Sequence, residues 1–233
     1  MAAVVYSAPM DPDRELLNDR PAATWWAVAL WTLTAALFVV IAIPALRDLV
    51  EPVDEWFWDL SVKTEWQPAV IAAKALRIIG SGWVMVPFEI AVGIWLFGRH
   101  RLKALAFWVA SIGTSEAIVW ISKVLYERPR PPDALVSTTG ESFPSAHSAT
   151  AAVVAIGLVL VFAPIAKNRR HWFMAAAGWA TMMAASRVYL RAHWFTDVIA
   201  GAAVGAAVAV AFALLIDQWS GPAGDRKNTL ADG

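Results

Sequence analysis

Apolar residues gather into six long runs, at about 24–46, 80–98, 102–122, 147–165, 172–189 and 195–216, with polar stretches between them. A helix needs about 20 residues, at ~1.5 Å each, to cross the hydrocarbon of a bilayer. None of the six runs keeps a polar face to turn to water, as a helix of a soluble bundle would. The pattern therefore predicts an all-α, polytopic membrane protein, a bundle of six transmembrane helices. Runs three and five are interrupted by polar residues and depend on their neighbours, and runs five and six are rich in Ala and Gly, which suits close helix packing in a membrane. The stretch 47–79 is long and mixed. Its part from Pro68 to Ile79 has an Ala, Val, Ile and Leu face with Lys74 and Arg77 three apart, which predicts a short interfacial helix after the first span. One membrane domain (24–216) is thus expected between a polar N-terminal tail (1–23) and a polar C-terminal tail (217–233).

Composition agrees: 59% of the 233 residues are hydrophobic and only 16% charged. The first run follows DPDRELLNDR and lacks a small-residue cleavage site, so it reads as a retained helix. Without cysteine there is no disulfide framework and no thiolate metal site. A net charge of zero offers no footprint for nucleic acid. Trp25, Trp26, Trp66, Trp172, Trp194 and Trp219 lie near the run ends, where tryptophan favours the headgroup level. Two tight loops are densely basic, Arg99, Arg101 and Lys103 and then Lys167, Arg169 and Arg170. The positive-inside tendency puts them, and both termini, in the cytoplasm. The stretches 47–79, 123–146 and 190–194 then face outward.

Three polar clusters interrupt this apolar chain: SKVLYERPRPP with Lys123, Arg128 and Arg130; FPSAHS with Ser145 and His147; and SRVYLRAHWFTD with Ser186, Arg187, Arg191, His193 and Asp197. In a six-span topology all three emerge on one side of the membrane. Clustered Arg and Lys form an anion cradle, and the forked guanidinium suits phosphate oxygens. The Pro-Ser-Ala-His turn opens a helix whose free N–H groups and positive dipole end also attract anions. His193 and Asp197, four apart at the start of run six, share a helix face. A carboxylate bonded to one imidazole nitrogen leaves the other free to attack, and His147 is placed to protonate a leaving group. Nucleophile, orienting acid, proton donor and cradle together point to phosphoryl transfer through a phosphohistidine.

The spacing Lys123-x6-Arg130-Pro131, Pro144-Ser145-Ala146-His147, and Ser186-Arg187-x5-His193-x3-Asp197 resembles the three-part signature of the type 2 phosphatidic acid phosphatase (PAP2) family. The motifs span about a third of the chain, and the six-helix layout extends the likeness. The resemblance implies His193 as nucleophile, Asp197 as its partner, and His147 as general acid and later base. It implies Lys123, Arg130, Ser145, the Ala146 amide and Arg187 as phosphate ligands. It implies no metal and no cofactor, and nothing in the chain resembles a carboxylate cage for magnesium. One departure is Ala146, where the family usually has Gly. Alanine still offers the amide unless the position needs a positive φ.

Taken singly, these residues have plainer explanations. Lys123, Arg128 and Arg191 resemble snorkelling residues at helix ends. Ser145 resembles an ordinary N-cap. The intramembrane Glu116 and Glu89 read as hydrogen-bonded to neighbouring helices. The expected partners are membrane lipids and an amphiphilic phosphate: phosphatidic acid, phosphatidylglycerol phosphate or a polyprenyl diphosphate. A site on the outer face would suit recycling of the undecaprenyl carrier. A phosphotransferase to a lipid or sugar hydroxyl would use the same residues. A soluble vanadate-dependent haloperoxidase is at odds with six spans. A lipid-phosphate binder or transporter would need neither His193 nor Asp197.

Overall fold

The computed structural model describes residues 16–17, 19–163 and 169–219. Eight helices follow one another: α1 (Arg20–Ala42), α2 (Pro44–Lys63), α3 (Gln67–Ile79), α4 (Gly82–Gly98), α5 (Leu102–Tyr126), α6 (Ala146–Phe162), α7 (Arg169–Tyr189) and α8 (Phe195–Trp219). Among the described residues there is no strand. Proline and caps set several of the boundaries. Pro21 opens α1, where Asp19 accepts the Ala22 N–H at 3.0 Å. The first apolar run breaks earlier than its hydrophobicity suggests, at Ala42, because Pro44 lacks an N–H and instead begins α2.

The stretch expected to hold one surface helix holds two. α2 packs on α1, α7 and α8, and α3 packs on α7. α3 covers the predicted Pro68–Ile79 segment and meets α4 at a 45° bend. The six apolar runs are all helical. By length and hydropathy, α1, α5 and α8 each qualify as spans alone, and the bent pair α3 and α4 makes up to four. α6 has only 17 residues, and α7 carries Arg and His at one end and Ser and Arg at the other. By length and hydropathy the described helices thus supply three or four spans rather than the six expected. Lys167 and most of the two predicted tails, 1–15, 18 and 220–233, lie outside the described residues.

α6 is the axis of the fold. It is buried along nearly its whole length among α5, α7 and α8. A short enclosed helix must have its terminal carbonyls satisfied by protein. Arg101 donates to Val161 O at 2.9 Å, and Arg169 to Leu160 O at 2.9 Å. Both cations sit at the negative end of the helix dipole. Towards the other end, α8 comes close because Gly201 and Gly205 have no side chain. A Cβ on Gly201 would stand 2.3 Å from Ser145 O, and one on Gly205 2.2 Å from Ala149 O. These two glycines, four apart, form the small-residue face that lets membrane helices approach backbone to backbone. On the outside, Trp25, Trp26, Trp83, Ile94, Phe97 and Trp120 are exposed, as a lipid-facing surface requires.

Because Ser145 and Ala149 are backbone neighbours, Gly201→Ala has no side chain to displace and must push α8 off α6. We expect it to lower stability by roughly 1–3 kcal/mol, read as a reduced melting temperature in detergent. Gly113→Ala, inside α5 with nothing within 4 Å, is expected to hold or slightly raise the melting temperature.

Candidate active site

The three polar clusters meet at the N-terminal end of α6. Lys123 comes from the last turn of α5, Ser145, Ala146 and His147 from the start of α6, and Arg187 from the last turn of α7. Arg191 closes α7 in a left-handed conformation, φ 53°, while the Ala192 N–H returns to Arg187 O at 3.0 Å. This is the geometry of a helix C-terminal cap, usually filled by glycine. It delivers His193 directly beside the first turn of α8, which carries Asp197.

His193 is 5% exposed and Asp197 fully buried. The imidazole Nδ1 lies 2.8 Å from Ser142 O, and Nε2 lies 3.3 Å from Nη1 of Arg130. A guanidinium is only a donor and a carbonyl only an acceptor. The tautomer follows: Nδ1 carries the hydrogen and donates to Ser142 O, and Nε2 presents its lone pair towards Arg130. Sequence reasoning had the Asp197 carboxylate bonded to the ring. Instead Oδ2 stands 3.6 Å from Nδ1, and the backbone carbonyl of Ser142 takes the hydrogen bond. Burial pushes the His193 pKa below its usual 6.5, Arg130 and Lys123 push in the same direction, and Asp197 opposes them.

Asp197 is occupied by other partners. It accepts the Trp194 N–H at 2.8 Å, the Ser142 hydroxyl in a short hydrogen bond, and Nη1 of Arg128 at 2.5 Å. Arg128, set aside above as a helix-end residue, is buried. Its other arm reaches Asp54 of α2 at 2.7 Å. Asp54 in turn accepts the Thr196 N–H and hydroxyl, each at 2.8 Å. Asp54, Ser142 and Thr196 were not found in the sequence. Asp54 is 74 residues from Arg128 and belongs to no motif, so only the fold brings the two together. Arg191, likewise set aside, is buried and pairs with Glu65.

The residues expected to bind phosphate lie near one another at this end of the bundle. Arg130 is spread over four carbonyls: Gly140 at 2.9 Å, Ala192 at 2.6 Å, Thr139 at 3.0 Å and Glu141 at 3.1 Å. Lys123 donates to Glu141 O at 2.6 Å. Arg187 is 2% exposed, yet its Nε and Nη1 find no hydrogen-bond partner, and neither does Nε2 of His147. Unsatisfied buried donors are rare and call for an explanation. Here the Arg187 nitrogens lie within electrostatic reach of Arg130. Ser145 makes no side-chain cap, and its hydroxyl instead accepts from Ser148 at 3.2 Å. Ala146 is the first residue of α6 and is not among the positive-φ positions, so alanine in place of the family's glycine brings no strain. Glu116 accepts the Thr150 hydroxyl of α6 at 2.6 Å, the interhelix bond expected for it. Glu89 departs from that expectation: its buried Oε1 has no partner among the described residues. No group of three His, Asp or Glu side chains is gathered to hold a metal among the described residues.

Residues 104–220 match the family model described as PAP2 superfamily. Phosphatidylglycerophosphatase B of Bacillus subtilis (strain 168) is 27% identical over 175 residues, covering 72% of this chain and 85% of that protein. The crystal structure of the first transmembrane PAP2 type phosphatidylglycerolphosphate phosphatase from Bacillus subtilis has a TM-score of 0.67 at 25% identity. That likeness covers 84% of this chain and 96% of the other. The crystal structure of Aquifex aeolicus LpxE, at TM-score 0.55 and 21% identity, covers 66% of this chain and 91% of its own and shares the fold.

Breaking one arm of a buried ion pair strands the other charge. Arg128→Ala leaves both Asp54 and Asp197 uncompensated and is expected to cost about 3–5 kcal/mol, measured by thermal unfolding in detergent. Arg128→Lys, which keeps the charge but not the two-armed reach, is expected to recover only part of that loss.

Proposed function

The chain belongs to the PAP2 superfamily as an integral membrane phosphatase of lipid substrates, and we propose that it hydrolyses its substrate through a phosphohistidine on His193. The observation that carries this reading is the tautomer of His193. Its free lone pair lies on Nε2, beside Arg130 and at the edge of a cradle whose buried Arg187 donors have no protein partner. An amphiphilic phosphate is the matching ligand: the headgroup enters the cradle while the tail stays in hydrocarbon. Phosphatidylglycerol phosphate, a polyprenyl diphosphate and phosphatidic acid all have this form, and the first is supported by the names of two relatives.

Lys123, Arg130, Ser145, the Ala146 amide and Arg187 hold the phosphoryl oxygens and stabilise the charge that builds up on them. His193 Nε2 attacks phosphorus. The N–P bond forms as the P–O bond to the lipid breaks, and His147 gives its proton to the departing oxygen. A water molecule then attacks phosphorus and yields a proton to His147. The N–P bond breaks, inorganic phosphate leaves, and Nε2 regains its lone pair. Asp197 holds the Trp194 amide, Ser142 and Arg128 in place around the ring and favours the imidazolium-like charge of the transition state.

The side of the membrane follows from charge. The basic residues Arg99, Arg101, Arg169 and Arg170 lie at the end of α6 away from His147, and the positive-inside rule places that end in the cytoplasm. The site then opens on the outer face.

We expect purified protein in EDTA to release phosphate from at least one of the three lipids, and His193→Ala to lower that rate by at least ~10³-fold. No release from any of them would sink the hydrolase reading. A nucleophile whose pKa lies below 6.5 stays neutral as pH falls to that value. The acidic limb of kcat/KM, where His193 takes up a proton, is therefore expected below pH 6.5 rather than at it. The absence of cysteine from the chain makes topology simple to test. A single cysteine at Thr139 is expected to react with a membrane-impermeant maleimide in intact cells, and one at Gly98 only after lysis.

A further inference from the structure

Arg77 of α3 has no part in the three motifs, yet the fold brings it to the site. Its Nη2 donates to Ser137 O at 3.0 Å, which pins the guanidinium against the loop that carries Arg130 and Ser145. One turn further on, Gly80 packs against His147, where an added Cβ would stand 3.0 Å from Cδ2 of the ring. Arg77 is close enough to act electrostatically on both Arg187 and His147. The cations thus divide. Arg130 and Lys123 act on His193, whereas Arg77 is on the side of His147, where the leaving group departs.

Charge counting gives this division a meaning. Lys123, Arg130 and Arg187 are the cations assigned to the phosphate that His193 attacks. The acids nearby are engaged elsewhere: Asp197 and Asp54 with Arg128, and Glu65 with Arg191. Asp197 and Glu141 both act on Lys123 and Arg130, at the His193 side of the site. Arg77 adds a further cation on the other side, beside an arginine with two unpartnered buried nitrogens. For an uncharged diacylglycerol leaving group it would have nothing to bind.

We propose that Arg77, together with the free donors of Arg187, recognises a second phosphate carried by the leaving group, and so makes this enzyme selective for lipids with two phosphates in reach of the site. The inference rests on His147 being the residue that protonates the leaving group. A polyprenyl diphosphate supplies the second phosphate as the leaving group itself. A phosphatidylglycerol phosphate supplies it as the phosphodiester beyond the glycerol. α3 is then a specificity element: it carries one charge to a site whose motif residues come from α5 to α8 and the loops between them.

The test compares kcat/KM of the full-length protein and of Arg77→Gln on a polyprenyl diphosphate, phosphatidylglycerol phosphate and phosphatidic acid. The parent protein is expected to prefer the two-phosphate lipids. Loss of one charge-assisted hydrogen bond is expected to shrink that preference about tenfold or more, with turnover of phosphatidic acid barely changed. Arg77→Lys is expected to restore part of the preference, and it keeps the test open should the glutamine variant fold poorly. If the effect appears for only one of the two substrates, that substrate is the source of the second phosphate. An equal loss on all three lipids would overturn the proposal and reduce Arg77 to an anchor for Ser137, and no change on any would overturn it outright. Failure of the parent protein to hydrolyse any of the three would instead strike at the hydrolase reading itself.

Discussion

The buried carboxylate of Asp197 is the point on which the site depends. It is fully enclosed, and a lone charge in such a place would be untenable. Its partners come from three directions: the Trp194 amide of its own helix turn, Ser142 of the loop before α6, and Arg128 of the loop after α5. Through Arg128 it reaches Asp54, and through Asp54 the helix α2 and the Thr196 amide. One charge thus ties together four segments distant in the chain. Satisfying it fixes the positions of Ser142 and of the turn that holds His193, and these determine the tautomer of the ring.

That network needs the helices beneath it to approach closely. Gly201 and Gly205 bring α8 within backbone contact of α6, and the Ser145 N–H closes the gap by donating to Asp197 O at 3.0 Å. Without this approach, the two histidines, one before α8 and one at the start of α6, would not come within electrostatic reach of each other. Packing and chemistry are one arrangement here, since the glycines that let the helices pack also set the spacing of the site. At the opposite end, Arg101 and Arg169 satisfy the last carbonyls of α6 and allow a 17-residue helix to sit enclosed.

The cations of the site serve two separate purposes. Arg128 and Arg191 are spent inside the protein on Asp54, Asp197 and Glu65, where they hold the fold together. Lys123 and Arg130 lean on backbone carbonyls, which hold them in place without neutralising them. Arg187 has donors to spare. A residue type alone does not tell these two groups apart: all five are Lys or Arg at or near helix ends, and only their partners separate the paired cations from those left for the proposed phosphate.

Much was legible in the chain before any coordinates. Six apolar runs of bilayer length became six helices, because backbone hydrogen bonds in hydrocarbon leave the chain little alternative. The local spacings within each motif placed Lys123, Arg130, Ser145, His147, Arg187, His193 and Asp197 at one end of the bundle, since a chain that crosses the membrane repeatedly must bring alternate loops to the same side. Tertiary structure decided what no periodicity encodes. It made Arg128 and Arg191 interior ion pairs rather than snorkelling residues, because their acids lie on α2 and at its end, far away in the chain. It gave the hydrogen bond of His193 to a carbonyl in place of Asp197, because loop 142 passes closer to Nδ1 than the carboxylate does. It also brought Arg77 from a surface helix to the edge of the site. Patterns along the chain report local periodicity and membrane side, whereas the partners of a buried charge depend on which distant segments the closed bundle presses together.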